Sequence, residues 1–176
     1  MSSTALPGPV PVSRKLLAWL PTLLWVCVLA LFSTDLFSAE HTGSILRKIL
    51  HAIFGPISPH HFQQIHFLIR KAAHFCSYGL LGAFAFFSWR ATLPPPQNAQ
   101  KQLVPGTPLP SVRPWMLRWA LLGVLTACIG GSLDEFHQRF VPSRGPSLHD
   151  VLLDTAGAVF FQLVIALAIR RRESVP

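Results

Sequence analysis

The amino-acid sequence predicts an all-α integral membrane protein, with four transmembrane helices and an interfacial amphipathic helix between helices one and two. Composition is the first reason. Of 176 residues, 51% are hydrophobic and 12% charged, and the mean hydropathy is +0.43, which is too apolar for a soluble domain of this size. The second reason is patterning, since nearly all the apolar sequence falls into four stretches bracketed by basic residues. The third is segregation. Once those stretches are drawn as spans, all eight histidines and six of the seven acidic residues fall on one side.

Residues 1–15 are expected to form a cytoplasmic tail, 16–170 one membrane domain and 171–176 a second cytoplasmic tail. The first span is Leu16 to Phe32, seventeen residues without a charge, long enough for a helix to cross most of a hydrocarbon core. It follows Arg14 and Lys15 as a signal peptide's apolar region would. The run is long, however, and Leu36-Phe37-Ser38-Ala39 is a poor cleavage site, so the segment is expected to remain as a membrane helix. Ser44 to Phe54 then sets Ile45, Leu46, Ile49, Leu50 and Ile53 on one helical face and Arg47, Lys48 and His51 on another. That pattern suits a helix lying in the interface, stopped by Gly55-Pro56. Ser58 offers an N-cap with Pro59 at the first helical position, opening a helix that continues into the second span, Ala72 to Trp89.

Residues 91–114 contain seven prolines and little apolar pattern, and are expected to be a disordered cytoplasmic loop without chemistry. The third span covers Trp119 to Leu133 and extends back through Trp115-Met116-Leu117, with Arg118 snorkelling near its end. Val141-Pro142 breaks that helix, Gly145-Pro146 shapes a turn, and Ser147 is placed to cap the fourth span, Val151 to Ile169, which stops at Arg170-Arg171-Arg172. With the N-terminus inside, nine basic residues lie on the cytoplasmic side and six on the other, which places both termini in the cytoplasm. The formal charge of +8 forms brackets rather than a stripe with interleaved aromatics, so no nucleic-acid partner is implied. Cys27, Cys76 and Cys128 make an odd count within spans and imply no disulfide framework.

Two polar constellations share the histidine-rich face. Lys71, His74 and Tyr78 are spaced i, i+3, i+7 and form one helical stripe, continued by Gly82. Asp134, Glu135 and Gln138 end the third helix, and Asp150 and Asp154 lie one turn apart at the start of the fourth, with Arg144 between them. Carboxylates near hydrocarbon are expensive unless neutralised, so Lys71, His74, Arg139 and Arg144 are the expected partners. A purely structural reading is a network that locks helices two, three and four together. A second reading is a site that holds a ligand, with Arg144 and Lys71 suited to phosphate or carboxylate and Asp134, Glu135 and Gln138 to sugar or amine groups. A third is acid-base chemistry at a histidine beside carboxylates. His74, His137, Asp134 and Asp150 also offer metal-ligand types, but no compact motif such as His-Glu-x-x-His is present, so no metal and no cofactor is assigned. Intramembrane His and Asp also raise proton-coupled transport, against which four helices are few and polar groups bunched at one face draw no path across. His41, His51, His60, His61, His66 and His149 read as solvated surface.

The two constellations carry a resemblance. Arg70-Lys71-Ala72-Ala73-His74-Phe75-x-x-Tyr78-x-Leu80-Leu81-Gly82, then Asp134-Glu135-Phe136-His137-Gln138-x-Phe140-Val141-Pro142-x-Arg144 and Asp150-Val151-x-x-Asp154-x-x-Gly157, resemble the VanZ-like family over residues 68–160. The resemblance implies a small bacterial membrane protein of about four helices, in the plasma (inner) membrane, whose naming member lowers sensitivity to the glycopeptide antibiotic teicoplanin. Membrane lipids are the expected partners, and the polar site itself suggests a lipid-linked cell-wall precursor or a glycopeptide antibiotic as ligand; the resemblance supplies no reaction. The proline-rich loop, the segment His60 to His66, and Thr34-Asp35 after Ser33 depart from the pattern.

Overall fold

The computed structural model describes residues 12–34, 39–93, 116–141 and 145–173, and for 39–41 and 172–173 the backbone alone. Five helices make up the described residues, with no strand among them: α1 (Val12–Phe32), α2 (Ala39–Phe54), α3 (Pro59–Thr92), α4 (Leu117–Gln138) and α5 (Leu148–Glu173). Most of the proline-rich loop, Pro142 to Arg144, Asp35 and both chain ends lie outside the described residues.

The helix boundaries follow local chemistry. Gly55 closes α2 with a φ of 76°, a left-handed conformation that costs a glycine nothing in steric clash, and its N–H donates to His51 O at 3.0 Å. The expected start at Ser58 is present: its Oγ accepts from His61 N at 3.4 Å, and Pro59 occupies the first turn. α2 begins earlier than its amphipathic stretch, at Ala39. Ser147 immediately precedes α5, but its backbone N–H is turned to the Glu135 carboxylate at 2.6 Å.

α3 is the hub. It packs most extensively on α5 and α4, then on α1, and lightly on α2, while α4 and α5 also pack on each other. The contacts between α3, α4 and α5 use small residues. Gly123, Ala127 and Gly131 repeat every fourth residue along the buried face of α4, and a Cβ on Gly123 would stand 2.7 Å from Gly82 O of α3. A side chain at Gly157 of α5 would meet the backbone carbonyl of Phe75. Such stripes let helix backbones approach closely where no hydrophobic effect drives them together. The opposite face of α4 exposes Leu117, Leu121, Leu125, Ile129 and Leu133, one per turn. Small residues inside and branched apolar residues outside are the reverse of a soluble bundle and match a lipid-facing surface.

Among the described residues, three helices are long and apolar enough to cross a membrane by length and composition: Val12–Phe32, Leu117–Gln138 and Leu148–Arg171. α3, which contains the expected second span, is not among them. Its central position explains this: the face it buries carries Tyr78, Gly79, Gly82, Ala85 and Ser88 where a peripheral span carries leucine.

At one end, Phe86, Trp119 and Ala120 form a buried cluster with Trp89, Met116 and Ile165 against it. α1 is tied to α3 by polar contacts near the same end: Trp19 Nε1 donates to Thr92 Oγ1 at 2.9 Å and Thr22 Oγ lies 2.8 Å from Ser88 Oγ. Trp25 Nε1 donates to Ser77 O at 2.9 Å further along. The polar constellations lie at the other end.

Candidate functional site

Helical spacing places the site residues. The buried stripe of α4 that runs Gly123, Ala127, Gly131 continues for one more turn and reaches Glu135, so a carboxylate inherits a position that faces the bundle interior. Glu135 is 5% exposed. Its Oε2 accepts the Ser147 N–H, and its Oε1 has no hydrogen-bond partner among the described residues. Asp134, beside that stripe, accepts from Gln138 Nε2 at 3.1 Å, one turn later. On α5 the stripe Asp150, Asp154, Ala158, Gln162 faces α3 and α4. Asp154 is 0% exposed and stands against Gly131, whose missing side chain makes room for it.

α3 supplies the opposing groups. Lys71 pairs with Asp150. His74 Nδ1 lies 3.3 Å from Asp154 Oδ1, but off the hydrogen-bonding direction, so that nitrogen and both Asp154 oxygens remain without a hydrogen bond among the described residues. Tyr78 is buried and its ring stacks on His74 with centroids 6.2 Å apart. His74, Asp134 and Glu135 each present one possible ligand atom, all within 4.8 Å of one another.

The structure therefore brings together eight of the nine residues expected at the site, Lys71, His74, Tyr78, Asp134, Glu135, Gln138, Asp150 and Asp154. Arg144 lies outside the described residues. Two of the considered metal ligands part company with the rest: His137 turns to Ser33 Oγ at 3.0 Å, and Asp150 is taken by Lys71. Glu135 replaces them in the group around His74. Arg139 lies over the Phe136 ring, 5.9 Å from its centroid.

Two residues belong here that the sequence reading left aside. His66, expected on solvated surface, stacks on Phe62 with centroids 5.7 Å apart and has a buried Nε2 without a partner among the described residues. Burial, and secondarily the charge of Arg70, hold its pKa below the ordinary 6.5. Arg70 joins His66 and His74 in lining two cavities. The signal was present in the spacing, since His66, Arg70, His74 and Tyr78 follow one another every four residues.

The larger cavity has a volume of about 320 Å³ and lies between α1, α2 and α3. Leu29, Phe32, Leu46 and Ile69 make its walls mostly apolar, and His66, Arg70, His74 and Asp134 contribute charged and titratable groups to the lining. A second cavity of about 280 Å³ lies on the other side of the same α3 stripe, bounded by Gln63, Lys71 and Asp150. α2 closes the first cavity with Thr42 and Leu46, and is clipped to α3 by the Arg47 guanidinium 4.5 Å above the Phe62 ring. Its apolar residues Ile45, Ile49 and Ile53 stay exposed.

The VanZ/LLP1 family model matches residues 18–169, a stretch that includes every residue of this site. The chain belongs to the VanZ/LLP1 family. Membership and three apolar helices make it a membrane protein. No curated protein and no solved structure matches it.

Proposed function

We propose that this VanZ/LLP1 protein binds an anionic amphiphile, a lipid-linked cell-wall precursor in particular, with the acyl or prenyl part in the cavity between α1, α2 and α3. The observation that carries the reading is the make-up of that cavity: about 320 Å³ with mostly apolar walls, into which His66, Arg70, His74 and Asp134 bring polar groups. Ligand sites are usually concave and mostly apolar, with a few convergent polar groups that fix orientation. Arg70 presents a planar set of donors that matches phosphate or carboxylate, and Lys71 in the adjoining cavity adds a second cation beside Asp150.

In this reading α3 makes a fourth crossing. At about 1.5 Å per residue its 34 residues extend about 50 Å, more than a core of about 30 Å, so Pro59 to Arg70 stands at the membrane face and Ala72 to Trp89 within it. Both termini then lie on the cytoplasmic side of a bacterial plasma membrane, and the site opens at the extracytoplasmic face beneath the interfacial helix α2. A glycopeptide antibiotic acts on the same class of precursor head, which connects the site to lowered teicoplanin sensitivity.

Growth assays test this directly. Cells producing the protein are expected to tolerate more teicoplanin than cells without it, and Arg70→Ala and His74→Ala are expected to remove the difference at normal protein levels. Unchanged tolerance in both variants would reduce these residues to scaffold.

A further inference from the structure

The charges at the site do not balance. Among the described residues, Asp150 is taken up by Lys71, which leaves Asp134, Glu135 and Asp154 around His74, with Arg70 lining the same cavity as His74 and Asp134. Asp154 is 0% and Glu135 5% exposed, and Glu135 Oε1 and both Asp154 oxygens have no hydrogen-bond partner among the described residues. Buried carboxylates are normally paired, hydrogen-bonded or bound to a metal, because leaving water is expensive for a charge. Gln138 donates to one oxygen of Asp134, and the Ser147 N–H to one of Glu135, whose other oxygen has no partner among the described residues.

We infer that His74, Asp134 and Glu135 bind one divalent transition-metal ion. Their donor atoms lie within 4.8 Å of one another, a separation that a modest inward movement brings to ligand distance around a single ion. One imidazole with two carboxylates is a nitrogen and oxygen set suited to zinc or manganese. Three protein ligands leave a coordination position open, and His74 and Asp134 also line the 320 Å³ cavity, so that position faces it. Asp154 is then a positioning residue. At 3.3 Å from His74 Nδ1 it is placed to orient the ring, as a carboxylate behind a metal-bound imidazole does. The inference goes beyond amphiphile binding and does not depend on it.

The full chain, purified in detergent, stripped with a chelator and dialysed, is offered zinc or manganese alone. One equivalent per chain is expected to be retained through a second dialysis. His74→Ala and Glu135→Gln are expected to bind at least tenfold more weakly in competition with a chromogenic chelator, while His137→Ala, which alters a residue turned toward Ser33, keeps wild-type affinity. Failure of the wild type to retain one equivalent of either ion would show that protons or side chains neutralise the cluster, and would overturn the inference. Equal binding by wild type and His74→Ala would overturn it too, by placing the ion elsewhere, for example at His60 and His61.

Should the variants not fold, pulsed electron paramagnetic resonance of Cu²⁺-loaded wild type decides. Coupling to one imidazole is expected, and coupling to none or to several contradicts the site. In Asp154→Asn the coupling of the remote imidazole nitrogen, which reports the group that stands beside it, is expected to change while one equivalent of metal still binds. An unchanged coupling would remove Asp154 from its positioning role.

Discussion

Near Trp19, Trp89 and Trp119, the bundle buries polar atoms in pairs. Trp19 donates to Thr92, Trp89 donates to Thr126 at 3.1 Å, and Ser88 serves both Thr22 and the Ala18 carbonyl, while Trp119 Nε1 and Gln162 Oε1 find no partner among the described residues. Near His74, α3, α4 and α5 bury groups of higher charge and leave them incompletely paired, with Asp154 enclosed and Glu135 half satisfied. The first arrangement holds helices together. The second stores a cost of the kind that binding sites carry, because groups satisfied by each other have nothing left for a ligand.

If that contrast is right, substitutions at the two ends should separate stability from function. Trp119→Ala removes a side chain that is 1% exposed in the middle of the aromatic cluster, and should lower stability by about 3 kcal/mol, the usual cost of an aromatic-sized cavity. Thermal unfolding in detergent measures it, and the surviving folded fraction should still support drug tolerance. Asp154→Asn is the converse. It should leave the unfolding temperature nearly unchanged, since the amide keeps the shape of a carboxylate that makes no hydrogen bond among the described residues, and abolish tolerance. A large loss of stability in Asp154→Asn would instead favour the helix-locking network.

Smaller effects sharpen the same comparison. Thr22→Val deletes one hydroxyl partner of Ser88, which keeps its bonds to Ala18 O and Phe84 O, and should cost about 1 kcal/mol with no change in tolerance. At the site end, Arg70→Gln removes the lesser of the two influences that depress His66, so its pKa should rise yet stay below 6.5 because burial persists. Titration of the imidazole by nuclear magnetic resonance reads the shift. The sign for stability follows: a depressed histidine favours the folded state while neutral, and that contribution is lost as pH falls through 6.5 toward the lower folded value.

Much of the site was legible in the sequence because helical period fixes which residues share a stripe. Lys71, His74 and Tyr78 on α3 and the acids on α4 and α5 do meet, and Lys71 does neutralise Asp150. The stop at Gly55 and the cap at Ser58 were equally legible, since each rests on chemistry within four residues. What period does not fix is the register between helices separated by many residues. That Glu135 joins His74 while His137 turns away to Ser33 depends on how Gly123 and Gly131 seat α4 against α3 and α5. α2 as a cavity wall was hidden for a different reason, because its amphipathic pattern speaks only of an apolar and a polar face, and Arg47 is spent on the Phe62 ring of α3. The four-span count did not appear in full because α3, which packs on every other helix, carries His74, Tyr78, Gly79, Gly82 and Ser88 within its apolar stretch.

Under the proposed function the charged end binds the ligand and the aromatic end is its scaffold. Native mass spectrometry with a polyprenyl phosphate probe tests it most directly. Arg70→Ala should bind the probe about tenfold or more weakly than wild type, the loss of one charge-assisted contact worth about 1.5 kcal/mol or more, while Thr22→Val binds as wild type. Equal binding by Arg70→Ala and wild type, or no binding by either, would contradict it.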